Sequence, residues 1–371
     1  MKVALVHDYL TRFGGGERVL AALTEIWPKA PIFTSAKIRN TKYEILNTKR
    51  TSCLQHLPPF LRTSKLLVSL YPLVFENLDL SDFDVVISSG YFSKSVLTTP
   101  EQLHINYCHT VPRFLYGYPT ETRIRGSRLG RFVIAPIDHK LRVWDFYSAQ
   151  RPDYIVANSR TVAARVKKFW GRSSTVIYPP VETPPGSDEK LRSYNLQPTS
   201  YFLVVSRLEP YKNVDIAIKA CNKLELPLKV VGEGSERKRL ERLAGPTVEL
   251  LGLVSDEERN RLYAGCQALI FPAQDEDFGI VPVEAMSFGK PVIALRSGGV
   301  TETVIENKTG LFFNEPTAES LAEAIQTFNN ENHFHTEECR MRCLAQAQNF
   351  SKERFKKEFW EFVEEKWQNR G

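Results

Sequence analysis

Residues 275–286 read Asp275-Glu276-Asp277-Phe278-Gly279-Ile280-Val281-Pro282-Val283-Glu284-Ala285-Met286 and concentrate the groups best suited to chemistry. Two carboxylates, Glu276 and Glu284, lie eight positions apart, with a Phe-Gly turn and a proline between them. Proline suits the first turn of a helix, where its missing N–H costs no hydrogen bond. The spacing therefore predicts one carboxylate on a loop and the other within the first two turns of the following helix. The apolar run 268–271 feeds this loop, and Gly289 with Pro291 closes the helix. Strand, carboxylate loop and helix N-terminus in that order form a place where α/β proteins bind anionic or hydroxyl-rich ligands. The two glutamates could also serve as an acid/base couple. Asp275-Glu276-Asp277 admits an Asp-x-Asp metal motif, because hard cations prefer carboxylates. Adjacent acids alternate in direction, however, and the Phe-Gly-Ile-Val-Pro run favours a helix start over a metal loop.

Cations are placed to complement these acids. Arg207 emerges at the end of an apolar run, and Lys212 follows five residues later, just before a helical stretch. Strand C-termini face the ligand crevice of such sheets. There an arginine can grip phosphate oxygens bidentately while a lysine acts as a movable charge. Taken alone, the pair also fits two surface cations near a turn. Gly232-Glu233-Gly234 is a strand-to-turn signal, but Arg237 occupies the third-glycine position of a dinucleotide fingerprint. Gly14-Gly15-Gly16-Glu17 follows the first strand and opens a helix, so its amides could approach a phosphate. A purely conformational glycine turn is the other reading. His109, just beyond the run 103–107, is placed to hydrogen-bond a sugar or phosphate, with His7 and Asp8 as weaker candidates.

The elements that must hold these residues alternate in type. Strands are predicted at 3–6, 84–88, 103–107, 154–157 and 175–178, with helices at 17–27 and 159–169. Residues 179–200 hold Pro179, Pro180, Pro184, Pro185, Gly186 and Pro198 among charges and read as a linker. Strands at 201–206, 228–231, 248–251, 268–271 and 292–295 then alternate with helices near 213–224, 235–244, 256–265 and 281–288. Strands separated by helices imply parallel sheets with right-handed crossovers. In the tail, Phe355, Phe359, Trp360, Val363 and Trp367 are assigned to one apolar helix face, which must dock on something. The expected domains are 1–180, 181–350 and a terminal helix at 351–371.

At 371 residues, with 42% hydrophobic and 25% charged residues, two soluble domains are the expectation. No apolar run is long enough to span a bilayer, and residues 1–7 read as a buried strand rather than a signal peptide. The six cysteines form no metal-ligand pattern and read as reduced structural thiols in a cytoplasmic protein. Residues 1–180 hold 25 Lys and Arg against 13 Asp and Glu, a formal +12, whereas residues 181–371 hold 24 against 30, a formal −6. The excess centres on residues 113–142, which contain Arg113, Arg123, Arg125, Arg128, Arg131, Lys140 and Arg142. Phe114, Tyr116, Tyr118 and Phe132 are interleaved with them. That stretch reads as a solvated basic loop or as a contact for an anionic membrane or lipid-phosphate acceptor. Nucleic acid is disfavoured, because no RNA or DNA module accompanies it.

Together these pieces resemble glycosyltransferase family 4, the retaining nucleotide-sugar enzymes. The resemblance spans essentially the whole chain and is strongest from Ser206 to Phe312. It runs through Arg207 and Lys212, Gly232-Glu233-Gly234, Glu276-x7-Glu284, the Gly-Lys-Pro-Val-Ile-Ala run at 289–294, Gly298-Gly299 and Thr309-Gly310-Leu311-Phe312. Residues 157–160 and 176–181 further resemble the family's bacterial polysaccharide mannosyltransferases. Asn213 stands where the family often has glycine, and asparagine tolerates the same left-handed geometry.

The resemblance implies an α/β, GT-B fold: two Rossmann-like domains with parallel sheets facing each other across a cleft, the last helix returning to the first domain. It implies that Arg207 and Lys212 bind the donor diphosphate, that Glu284 holds the ribose hydroxyls, and that Glu276 lies near the donor sugar. Backbone amides of Phe278, Gly279 and Ile280 would complete that pocket, with Gly232 and Gly234 contributing to donor binding. Gly15 and Gly16 would meet the diphosphate, and His109 the transferred sugar. The expected donor is GDP-mannose, with no cofactor and no metal, and the acceptor is a lipid-linked or growing glycan at the cytoplasmic membrane face. UDP- or ADP-sugar transfer is the nearest alternative, and an inactive sugar-nucleotide-binding scaffold the alternative of another class. An oxidoreductase lacks its full fingerprint here.

Overall fold

Short apolar runs separated by helices become parallel strands throughout, as the computed structural model shows. It describes residues 1–10, 14–36, 48–51, 70–118, 128–182 and 201–370. The described residues fall into two units, one of 1–118, 128–180 and 352–370, the other of 181–182 and 201–351.

In the first unit the strands are β1 (Val3–His7), β2 (Ile32–Thr34), β3 (Thr48–Thr51), β4 (Val85–Ser89), β5 (Leu103–Cys108), β6 (Tyr154–Ala157) and β7 (Thr175–Val176). They form one parallel sheet in the order β3-β2-β1-β4-β5-β6-β7. Both faces are covered, which is why β1 is apolar at successive positions rather than alternating. Val3 and Leu5 pack in one core with Val19, Leu20 and Leu23 of helix α1 (Gly15–Ile26). Ala4 and Val6 pack in another with Phe33, Phe75 and Phe92, the second of these from α2 (Tyr71–Glu76).

Residues 128–148 are a helix, α3 (Arg128–Ser148), where a basic loop was the expectation. Its inward face mixes the polar Asp138, Asp145 and Ser148 with Leu141 and Trp144. Asp145 is fully buried and pairs with the equally buried Lys94 at 2.7 Å. The second Asp145 oxygen accepts from Tyr116 at 2.6 Å and from the Trp170 indole at 2.7 Å. Lys94 Nζ also donates to the Tyr91 carbonyl and lies 4.9 Å from the ring centres of both Trp144 and Trp170. Both charged groups of this buried pair are thus hydrogen-bonded, as their desolvation demands. Tyr116 stacks on Phe169, Arg165 lies 4.4 Å over Tyr118, and Arg142 donates to the Leu115 carbonyl. Part of the expected anion-binding set is therefore used within the fold. Arg123 and Arg125 lie outside the described residues. Helix α4 (Arg160–Trp170) starts on Ser159, whose hydroxyl accepts from the Val162 amide, and stops at Gly171 in the left-handed region (φ +66°).

The second unit holds β8 (Phe202–Val205), β9 (Leu228–Val231), β10 (Val248–Gly252), β11 (Leu269–Phe271), β12 (Val292–Leu295) and β13 (Gly310–Phe313). They form a parallel sheet in the order β10-β9-β8-β11-β12-β13. Its helices are α5 (Val214–Leu224), α6 (Arg237–Leu243), α7 (Asp256–Gly265), α8 (Ile280–Ser287), α9 (Val300–Thr303), α10 (Ala318–Asn330) and α11 (Glu337–Gln348). The expected linker at 183–200 lies outside the described residues.

The final helix, α12 (Lys352–Gln368), belongs to the first unit. Phe355, Phe359, Phe362 and Val363 enter the core that contains α1, and Lys352 and Lys356 both meet Glu25, at 2.9 and 3.0 Å. Trp360 departs from its assigned apolar face and is 48% exposed. At 100° per residue Phe362, seven positions after Phe355, faces the core where Trp360 cannot. None of the five described cysteines is in a disulfide, and all five are buried; Cys53 is not described. Among the described residues no helix is long and apolar enough to cross a membrane.

Candidate functional site

Strand order reverses between β8 and β11 in the second sheet, and such switch points open a crevice at the strand C-termini. The loop after β8 brings Arg207 and Lys212 there, and the loop after β11 brings Glu276. Lys212 Nζ donates to Glu276 Oε2 at 2.5 Å, with the lysine side chain 10% and the glutamate 21% exposed. The cation and the carboxylate, assigned separate roles by the sequence, are therefore direct partners. Tyr211 lies with them. Its hydroxyl accepts from Arg207 Nη2 at 2.5 Å, and its ring centre is 5.1 Å from Lys212 Nζ. Asn213 adopts φ +52° and caps α5 in the left-handed region, a geometry asparagine tolerates. Its amide donates to the Pro272 carbonyl at 3.2 Å, tying the two loops together.

Gly232 and Gly234 serve the backbone of the Arg207 loop. A Cβ on Gly232, at φ +135°, would stand 1.8 Å from the Ser206 carbonyl oxygen, and one on Gly234 would stand 2.3 Å from that of Leu208. The Leu208 amide donates to the Glu233 carbonyl at 2.9 Å, so the two loops pack main chain to main chain. Gly298 and Gly299 do the same for the carboxylate loop. A Cβ on Gly298 would meet the Glu276 carbonyl at 2.3 Å, and the Gly299 amide donates to that carbonyl at 2.8 Å. Ser297 Oγ accepts from the Asp275 amide at 2.9 Å. These contacts hold residues 275–278 in place before α8.

Helix α8 begins after Gly279, whose φ of +91° suits glycine, and carries Pro282 in its first turn. Phe278 is buried against Phe350, so of Phe278 and Ile280 it is the backbone that lies at the helix N-terminus. Glu284 is in the second turn, 7% exposed, and accepts from the Tyr263 hydroxyl at 2.8 Å. Tyr263 is itself buried and stacks on Phe288. Neither Tyr211 nor Tyr263 was singled out by sequence. A tyrosine at helical spacing reads as core, and nothing local marks the carboxylate 21 residues away.

In the first sheet the order reverses between β1 and β4. Here Gly15 and Gly16 form the first turn of α1, and Glu17 reaches back to accept from the Gly14 amide at 2.8 Å. His7 Nε2 lies 3.8 Å from Glu17 Oε1. Burial raises the Glu17 pKa, but the His7 contact and the amide hydrogen bonds outweigh it and hold the carboxyl below its ordinary range. His109 Nε2 shares a hydrogen bond of 2.9 Å with Ser89 Oγ, and a Cβ on Gly16 would stand 3.5 Å from the same nitrogen. Burial, then neighbouring His7, lowers the His109 pKa to about 3, so its imidazole is neutral at neutral pH. The geometry brings Gly16, Glu17, His7, Ser89 and His109 together. Asp8 is otherwise engaged: its carboxylate accepts from the amides of Tyr91, Phe92 and Ser93 and anchors the turn after β4.

Residues 187–350 match the family described as Glycosyl transferases group 1. Over 190 residues the chain is 32% identical to the uncharacterized glycosyltransferase MJ1178 of Methanocaldococcus jannaschii, covering 50% of this chain and 52% of that protein. It is 25% identical over 314 residues to the alpha-1,3/1,6-mannosyltransferase ALG2 of Dictyostelium discoideum, covering 72% of this chain and 71% of that one. The first of these relatives is thus matched over about half its length. Among solved structures, Anabaena HepE in complex with UDP is similar over 98% of this chain and 100% of its own, with a TM-score of 0.70 and 20% identity. That likeness is one of fold. A parallel α/β sheet in each unit, glycine-packed loops at the switch point of the second and a family match across that unit agree: residues 187–350 carry the pattern of Glycosyl transferases group 1, on a chain with the GT-B fold.

Proposed function

We propose that this protein is a retaining, metal-independent glycosyltransferase that moves mannose from GDP-mannose to a lipid-linked or growing glycan in cell-surface polysaccharide synthesis. The observation that carries the proposal is the Lys212–Glu276 pair at the switch point of the second sheet, with Arg207 in the same loop. As a sugar leaves a nucleoside diphosphate, negative charge grows on the departing phosphate. Fixed cations aimed at that charge lower the barrier, each by roughly 3 kcal/mol in comparable sites. Arg207 and Lys212 take that role, and the departing phosphate accepts the acceptor's proton in a front-face attack. Glu276, released from Lys212 when phosphate competes for the lysine, accepts from donor sugar hydroxyls. Glu284, oriented by Tyr263, accepts from the ribose hydroxyls, and the amides at 278–280 face the sugar and phosphate.

In the first unit the amides of Gly15 and Gly16 approach a phosphate, and His109, as a neutral imidazole, hydrogen-bonds a sugar hydroxyl. The mannosyltransferase name of a relative supports mannose and GDP-mannose as the donor. The formal +12 of residues 1–180 supports peripheral contact with an anionic membrane, on the cytoplasmic face.

The test is a thermal-shift screen of GDP, UDP, ADP and their sugars, followed by nucleotide release from the stabilising donor in excess EDTA. GDP-mannose should stabilise most, release should persist in the chelator, and Lys212→Ala should slow it at least a hundredfold. Equal turnover by Lys212→Ala would remove the diphosphate role. A larger shift with a UDP or ADP sugar would reassign the donor, and binding without release would make the protein a sugar-nucleotide scaffold.

A further inference from the structure

Helix α3 buries both of its acids and leaves a stripe of apolar side chains exposed. Asp138, Leu141, Asp145 and Ser148 recur at helical spacing and are the buried positions, held by the Lys94–Asp145 pair and its aromatic partners. The opposite side exposes Phe132 (80%), Val133 (68%), Ile137 (51%), Val143, Phe146 and Tyr147 (67%). A surface helix normally turns its apolar stripe to the core, and contiguous exposed apolar patches mark docking surfaces. The buried ion pair fixes this orientation: rotating α3 to hide Phe132 and Ile137 would break Asp145 away from Lys94, Tyr116 and Trp170.

We infer that this face of α3 is a membrane-docking surface that lies in the interface of an anionic phospholipid bilayer. The inference rests on the peripheral-membrane part of the function proposed above and assigns it a surface. Charge and shape select the occupant. Both aspartates of α3 point inward, and the exposed side includes Lys140, so the stripe has cationic and no anionic character among its described side chains. It lies in the half of the chain with a formal +12. From Phe132 to Tyr147 the stripe runs about 22 Å at 1.5 Å per residue, the form of a helix that lies flat at the headgroup boundary with aromatic residues toward both ends. A second copy of the same face would set cation against cation with no acid to balance it.

Co-sedimentation of the full chain with phosphatidylcholine vesicles, with and without about one quarter phosphatidylglycerol, tests this. The wild type should bind the anionic vesicles, and Phe132→Ser/Ile137→Ser/Phe146→Ser should lower its partition at least tenfold. Lys140→Glu should weaken binding to anionic vesicles alone. The thermal shift with GDP-mannose should be unchanged in both variants, which separates docking from folding and from the donor site. Wild-type vesicle binding by the triple variant overturns the inference. So does self-association of the wild type in solution that the triple variant abolishes while vesicle binding stays intact. Loss of vesicle binding in the triple variant, in a protein that binds no nucleotide sugar, would uphold the docking surface and sink the proposed activity.

Discussion

At the scale of single residues, the candidate site is held together by contacts between side chains far apart in sequence. Glu284 is placed by Tyr263, a hydroxyl donated from the preceding helix into a buried carboxylate. Removing that hydroxyl leaves the carboxylate one partner short, and a hydrogen bond to a charged group contributes about 1.5–3 kcal/mol. If the proposed donor site is right, Tyr263→Phe should therefore weaken binding of GDP, the proposed donor nucleotide, about tenfold by calorimetry while changing turnover at saturating donor little. An unchanged dissociation constant would remove Tyr263 from the proposed nucleotide site. The placement of Arg207, Lys212, Glu276 and Glu284 at or beside recognisable elements was legible in sequence. The contact between Lys212 and Glu276 was not, because it depends on β8 and β11 being neighbours in the sheet. Sequence gives the order of strands along the chain but not their order in space.

At the scale of elements, polar residues did the positioning that apolar periodicity could not report. Most strands and several helices of the second unit follow from alternating apolar runs. Helix α3 does not, since Asp138 and Asp145 occupy its core positions and Pro136 interrupts the pattern. Its anchor makes a direct prediction. Asp145→Ala strands a fully buried lysine, a change that typically costs about 3–5 kcal/mol. The double replacement Lys94→Met/Asp145→Leu should cost markedly less, measured by urea denaturation, because it removes both charges. Equal losses for the single and double variants would show that packing, not the unpaired charge, sets the cost. The short strands β2, β3 and β13 also went unpredicted: β3 holds no apolar residue, and β2 and β13 offer only two and three apolar side chains beside a threonine or a glycine.

At the scale of the whole molecule, acid should act on the first unit through its buried histidines. His104 is fully buried beside Ser88, and burial, then Arg151 and Arg172, lowers its pKa to about 3. The unfolded chain binds a proton near the ordinary value of about 6.5 that the folded chain refuses, so stability falls as pH drops from there toward 3. Between pH 6.5 and 5 one such histidine should remove about 2 kcal/mol, and His109 acts in the same direction. All five tryptophans belong to this unit, so their fluorescence in urea titrations at the two pH values reads it alone. A pH-independent midpoint in that range would contradict the neutral burial of His104. The same division of the chain has a consequence for biosynthesis. Because α12 supplies Phe355, Phe359 and Val363 to a core begun by β1 and α1, the ribosome must complete the entire second unit before the first can close. Until then Trp27 and Tyr107 lack the phenylalanine rings they pack against, and the nascent first unit offers that greasy face to any chaperone that meets it.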